Sequence, residues 1–178
     1  INEYDDFSWY VEDVDEQLKQ FAGTNKSYGI RLGRSLFANE NGGVYIYIAY
    51  VIPNSPAHEA GLKRGDIIYK VDGTIMDSNN YSVINNLFNN DKVTLGIGTF
   101  DSSTGELIAN TQDIEITRVE FPATPIQHYS VINSSNKKIG YLVYNSFKYP
   151  FHGELNDVFS YFKTENVNEL VLDLRYNG

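Results

Sequence analysis

Cysteine is absent from these 178 residues, which excludes disulfide staples, thiol nucleophiles and zinc–thiolate sites and leaves the redox compartment open. Positive charge is also short. Fourteen Lys and Arg stand against 23 Asp and Glu, and a net charge of −9 with a pI near 4.7 repels a phosphate backbone or an anionic bilayer. Nucleic acid is therefore not an expected partner. No apolar run is long enough to span a membrane, Ile1 opens no positively charged leader, and no internal repeat or low-complexity tract stands out. Histidine is sparse too. His58, His128 and His152 share no ligand spacing, so no metal or other cofactor is expected.

What is present is core-forming material: 42% hydrophobic and 14% aromatic residues, enough for one good core or two small ones. Residues 5–21, DDFSWYVEDVDEQLKQF, place Val11, Val14, Leu18 and Phe21 three and four apart, which predicts an acidic helix packing by a narrow stripe. Its acids Glu12, Asp13, Asp15 and Glu16 point in different directions around a helix, as a solvated face does.

From residue 27 the rhythm becomes that of strands. SYGIRLG, VYIYIAYVI, IIYKV, DKVTLGIGTF and DIEITRVEF are β-branched and aromatic, the last two joined through the hairpin residues of DSSTGEL. NYSVINNLFNN predicts a second short helix with Ile84, Leu87 and Phe88 on one side. This spacing reads as a small, partly open β-barrel with two short helices. Pro122, Pro125 and NSSN then predict a connection and a turn up to residue 136. KKIGYLVYNSF, ELNDVFSYFKTENV and ELVLDL follow as strand, helix and strand, a parallel crossover whose last strand reads as buried on both faces. The fold class is α+β.

SPAHEAGLKRGDIIYKVDG, residues 55–73, gives each small residue a mechanical task. Ser55 caps a helix that begins with Pro56, Gly61 ends it, Gly65 makes the next turn, and Asp72 with Gly73 fits a tight hairpin. In this order, after a long strand, the segment resembles the PDZ domain in its bacterial protease form. The resemblance implies a module that adds a ligand strand to a sheet edge and takes a terminal carboxylate on backbone N–H groups. Ser27, Tyr28, Gly29 and Ile30 stand where that family keeps its carboxylate loop, and Ile30, Arg31 and Leu32 where it keeps its edge strand. Val83, Ile84 and Leu87 line the opposite wall or simply pack the core. Arg31 either assists with the carboxylate or is a solvated strand residue.

The closing ELVLDLRYNG, the strand KKIGYLVYNSF and the lead through DDFSWYVEDVDEQLKQFAGTNKSYGI resemble, in order, the C-terminal processing or tail-specific serine peptidases. That resemblance implies a helical lead (1–26), a PDZ domain (27–121) and the opening of a ClpP/crotonase-like catalytic core (122–178). It implies peptide hydrolysis by a serine whose proton is taken by a lysine, both downstream of the LDLR turn and so absent here. Ser134, Ser135, Ser146 and Ser160 have no paired base legible in sequence. Gly178 is the candidate contributor to an oxyanion hole, Arg175 an anchor of the turn, and Asp173 an acid that needs a partner.

The expected protein is thus the N-terminal part of a serine endopeptidase that binds peptide or unfolded protein substrates and, as this segment, cuts nothing. A non-catalytic PDZ binding protein is the alternative. Self-association through an incomplete core and a place in the bacterial cell envelope, the latter by resemblance only, complete the expectation.

Overall fold

The computed structural model describes residues 13–21, 24–33, 36–39 and 42–177. The chain divides into two compact units, a middle one, Lys26–Phe121, and a terminal one made of Ile1–Asn25 and Pro122–Gly178. The described chain opens with helix α1 (Val14–Phe21) and strand β1 (Thr24–Ser27). Val14 and Leu18 on α1 are exposed, although the stripe was expected to pack; Val11 and the Phe21 side chain lie outside the described residues.

In the middle unit the strands are β2 (Ile30–Leu32), β3 (Phe37–Ala38) and β4 (Val44–Val51), followed by the one-turn helix α2 (Pro56–Glu59). Next come β5 (Ile67–Val71), β6 (Thr74–Ile75), a 3-10 turn (Tyr81–Asn85) and α3 (Asn86–Asn89). β7 (Lys92–Phe100), β8 (Leu107–Ala109), β9 (Ile114–Thr117) and β10 (Val119–Pro122) complete it. Eight strands form one sheet in the order β2-β4-β5-β7-β8, with β3 on β4, β6 on β5 and β9 on β7, while β10 pairs with β1. The described strands do not close into a barrel.

Alternation along β4 turns Val44, Ile46 and Ile48 into a core completed by Ile68, Val71, Leu95 and Ile97. Each such side chain contributes about 1.5–3 kcal/mol by leaving water. On the other face Tyr45 stacks on Phe37 at 6.1 Å and meets Phe100 edge-on at 5.0 Å. The punctuation behaves as its chemistry requires. Ser55 Oγ accepts from the His58 N–H, Gly61 and Gly65 have positive φ, and Asp72 and Gly73, at φ 48° and 79°, turn β5 into β6.

Three expectations fail here. The DSSTGEL hairpin leads from β7 into β8, a strand not foreseen, and DIEITRVEF is split at Arg118 into β9 and β10, which belong to different sheets. Phe88 is 61% exposed, because the chain widens from 3-10 to α winding just before it, which breaks the regular helical spacing and leaves that side chain away from the buried Ile84 and Leu87.

The terminal unit continues with β11 (Ile126–Ser134), β12 (Lys137–Tyr144), a 3-10 turn (Tyr149–Phe151), α4 (His152–Thr164) and β13 (Glu169–Asp173). β11 replaces part of the expected connection: beyond Pro125, the run IQHYSVI pairs antiparallel with β12 across a turn holding Ser135 at φ 47°. β12 and β13 are parallel, as a crossover demands. α4 lies close on the sheet because Gly140 has no side chain; a Cβ there would stand 2.9 Å from the Phe162 ring. The core is Ile126, Leu142, Tyr144, Val158 and Phe162. Phe159, expected on this face, is exposed. β13 is the end strand of the sheet order β11-β12-β13, and its Leu170, Val171 and Leu172 are 46, 48 and 44% exposed rather than covered on both faces.

Candidate functional site

Within the middle unit, β2 pairs only with β4 among the described strands, so its other edge is open to a further strand. The loop entering β2 is braced from beneath. The Ala57 N–H donates to the Tyr28 carbonyl at 3.0 Å and the Ile52 N–H to the Gly29 carbonyl at 2.8 Å. Gly29, at φ 80°, lies so close to the wholly buried Ser55 that a Cβ would stand 2.1 Å from the serine Cβ. Only glycine fits both the angle and the gap. Its N–H, expected to face a ligand carboxylate, donates instead to Ser27 Oγ at 3.0 Å.

Beside this loop is a groove of about 180 Å³ lined by Lys26, Ser27, Tyr28, Ile30, Leu32, Leu87, Phe88 and Arg118. Of the expected residues, Tyr28, Ile30, Leu32 and Leu87 line it. Gly29, Arg31, Val83 and Ile84 do not: Gly29 is buried, Ile84 belongs to the core, Val83 packs on that core, and Arg31 is exposed opposite Tyr50. Strand alternation explains Arg31, since its neighbours Ile30 and Leu32 take the groove side.

Sequence reasoning missed Lys26, Phe88 and Arg118 as groove residues, while Ser27 belongs to the loop it named. Lys26 Nζ pairs with Asp91 at 2.5 Å. Arg118 stands with its guanidinium 5.0 Å from the Tyr28 ring centroid and donates from Nη2 to the Leu87 carbonyl at 2.5 Å. The Tyr28 hydroxyl donates to the Asn90 carbonyl at 2.6 Å, and burial pushes its pKa up against the opposing pull of Arg118. A lone arginine between two short strands gives no local signal. Only the fold brings it beside Tyr28.

In the terminal unit the C-terminal ends of β12 and β13 lie side by side. Asn177 Nδ2 donates to the Tyr144 carbonyl at 3.0 Å, and the Oδ1 of the buried Asn145 has no hydrogen-bond partner among the described residues. Asp173 is held by Arg175 and by the Tyr141 hydroxyl, so the acid within the apolar strand has the partners its burial requires. Burial pushes the Lys148 ammonium pKa down. Ser134 and Ser135 lie at the β11–β12 turn, Ser146 after β12 and Ser160 on exposed α4 surface; among the described residues none hydrogen-bonds a histidine or lysine side chain. Gly178 lies outside the described residues. No group of three or more His, Cys, Asp and Glu fit to hold a metal occurs among the described residues, and no described helix is long and apolar enough to cross a membrane.

Residues 47–78 match the PDZ domain profile and residues 138–178 that of peptidase family S41. Among solved structures, an S41 protease from Bacteroides fragilis is similar with a TM-score of 0.70 and 31% identity, over 85% of this chain and 40% of that one. A photosystem II D1 C-terminal processing protease is similar with a TM-score of 0.53 and 20% identity, over 89% of this chain and 42% of that one, a likeness of fold alone. The chain spans about two-fifths of the length of either structure. No curated protein matches it.

Proposed function

Because the chain, with a PDZ segment followed by an S41 segment, belongs to the C-terminal processing peptidases, we propose that it is part of a serine endopeptidase whose middle unit binds substrate peptides. One observation carries this reading: the open edge of β2 flanks a groove with Ile30, Leu32 and Leu87 among its walls, within the unit that holds the PDZ match. An extended peptide laid along Ile30–Leu32 adds a strand to the sheet and places a side chain among Ile30, Leu32 and Leu87. The middle unit is then a PDZ-like fold left open on that side, and the terminal unit the opening crossover of a ClpP/crotonase-like core.

The chemistry is hydrolysis by a serine activated by a desolvated lysine, and neither member of that pair is among residues 1–178. Ser134 and Ser135 sit on a turn, Ser146 after a strand and Ser160 on a solvated helix face, and among the described residues none of the four hydrogen-bonds a histidine or lysine side chain. The 178-residue chain is therefore expected to bind an unfolded peptide without cutting it. Incubation with a fluorogenic unfolded substrate tests this, and serine-dependent cleavage would refute it. Extending the reading frame past residue 178 separates a peptidase from a non-catalytic PDZ binder, since only the former supplies a serine and a lysine. The protein's place in the bacterial cell envelope, open to a fractionation experiment, and self-association through β13 belong to the same proposal.

A further inference from the structure

We propose that Arg118 is the residue of the groove that reads a carboxylate on the bound peptide. This rests on the middle unit being a peptide-binding module and names what that module selects. The groove has two cations among its lining residues and no acid, within a chain of net charge −9. Their states differ. Lys26 is already paired with Asp91, whereas Arg118 has no carboxylate partner among the described residues and spends one donor on the Leu87 carbonyl.

A guanidinium carries five N–H donors in a planar fork that matches a carboxylate, so Arg118 keeps donors for a ligand while the Leu87 carbonyl and the Tyr28 ring hold it in place. The loop beside it does not offer the usual alternative at Gly29, whose N–H is engaged by Ser27 Oγ. An anion entering between Ile30 and Leu87 thus meets a preorganised side-chain charge. The shared ligand chemistry is an apolar residue next to a carboxylate, supplied by a chain terminus or by an Asp or Glu side chain.

The test uses the 178-residue chain and three fluorescent peptides of one apolar sequence: a free C-terminus, its amide, and the amide with an acidic residue at the penultimate position. The expected result is that Arg118→Gln weakens binding of at least one carboxylate peptide about tenfold or more, the equivalent of about 1.4 kcal/mol, and leaves the plain amide unchanged. Which carboxylate peptide loses affinity identifies the source. Arg118→Lys, which keeps charge without the fork, should give an intermediate loss and serves if the glutamine variant does not fold. Equal affinities for wild type and variants, or an equal loss for all three peptides, would overturn the role of Arg118 while leaving the peptide groove standing. No binding of any peptide to the wild-type chain would overturn both.

Discussion

Arg175 grips the carboxylate of Asp173, two residues earlier, donating from Nε at 2.9 Å to one oxygen and from Nη2 at 2.5 Å to the other. Tyr141, on the adjacent strand β12, adds its hydroxyl at 2.7 Å. The clamp closes the turn that follows β13 and lets an acid sit in an otherwise apolar strand. Arg175 first, and Tyr141 second, hold the Asp173 carboxyl well below the usual carboxylate range.

The sign of the resulting pH dependence follows from that depression. The stabilisation is complete above the unfolded carboxyl pKa and is lost as pH falls through the lower folded value, so it survives mild acid. Arg175→Met should return the Asp173 pKa toward its ordinary value, and Tyr141→Phe should do so by less. Carboxyl NMR titration orders the two; a larger shift for Tyr141→Phe would contradict the ranking.

A second acid gives a numerical expectation. Asp101, after β7, accepts from the Ser103 side chain and from the N–H groups of Ser103 and Thr104, which lower its pKa from 3.8 to about 2. Its contribution is present above the unfolded value and fades as pH drops toward the folded one. Ser103→Ala removes the largest cause and should raise the titration midpoint, read from the same NMR series.

Gly29→Ala should destabilise the middle unit by about 2 kcal/mol or more, from left-handed backbone (about 1–2 kcal/mol) and overpacking against Ser55 (about 1–3 kcal/mol). Ser55→Ala should cost about 0.5–2 kcal/mol through loss of the α2 cap. Denaturant melts decide both. A neutral Gly29→Ala variant would mean that the loop relaxes.

The exposed leucines of β13 carry the association expectation. Sedimentation of the 178-residue chain should show concentration-dependent association that Leu170→Lys with Leu172→Lys abolishes, since charges on an edge strand oppose pairing. A wild-type monomer at every concentration would exclude self-association through this strand.

Much of the fold was legible because its signals are local. A serine before proline caps a helix, Asp72-Gly73 turns a hairpin, and the period-two run of β4 has one fully apolar side. β11 was hidden because prolines and a polar turn flank a strand whose apolar residues are interrupted by polar ones. β13 misled for the opposite reason: continuous apolarity reports a need for cover, not its presence.

The candidate site divides in the same way. Tyr28, Ile30 and Leu32 could be named from the resemblance that the ordered motif carries, and Leu87 from its place on a short helix with an apolar side. Lys26 and Arg118 could not. Sequence by itself determined the order of the segments, their turns and the apolar wall of the groove, all set by interactions within a few residues. Only tertiary structure decided which charge stands at that wall, because pairing β9 with β7 carries residue 118 beside residues 28 and 87, and no local pattern encodes that meeting.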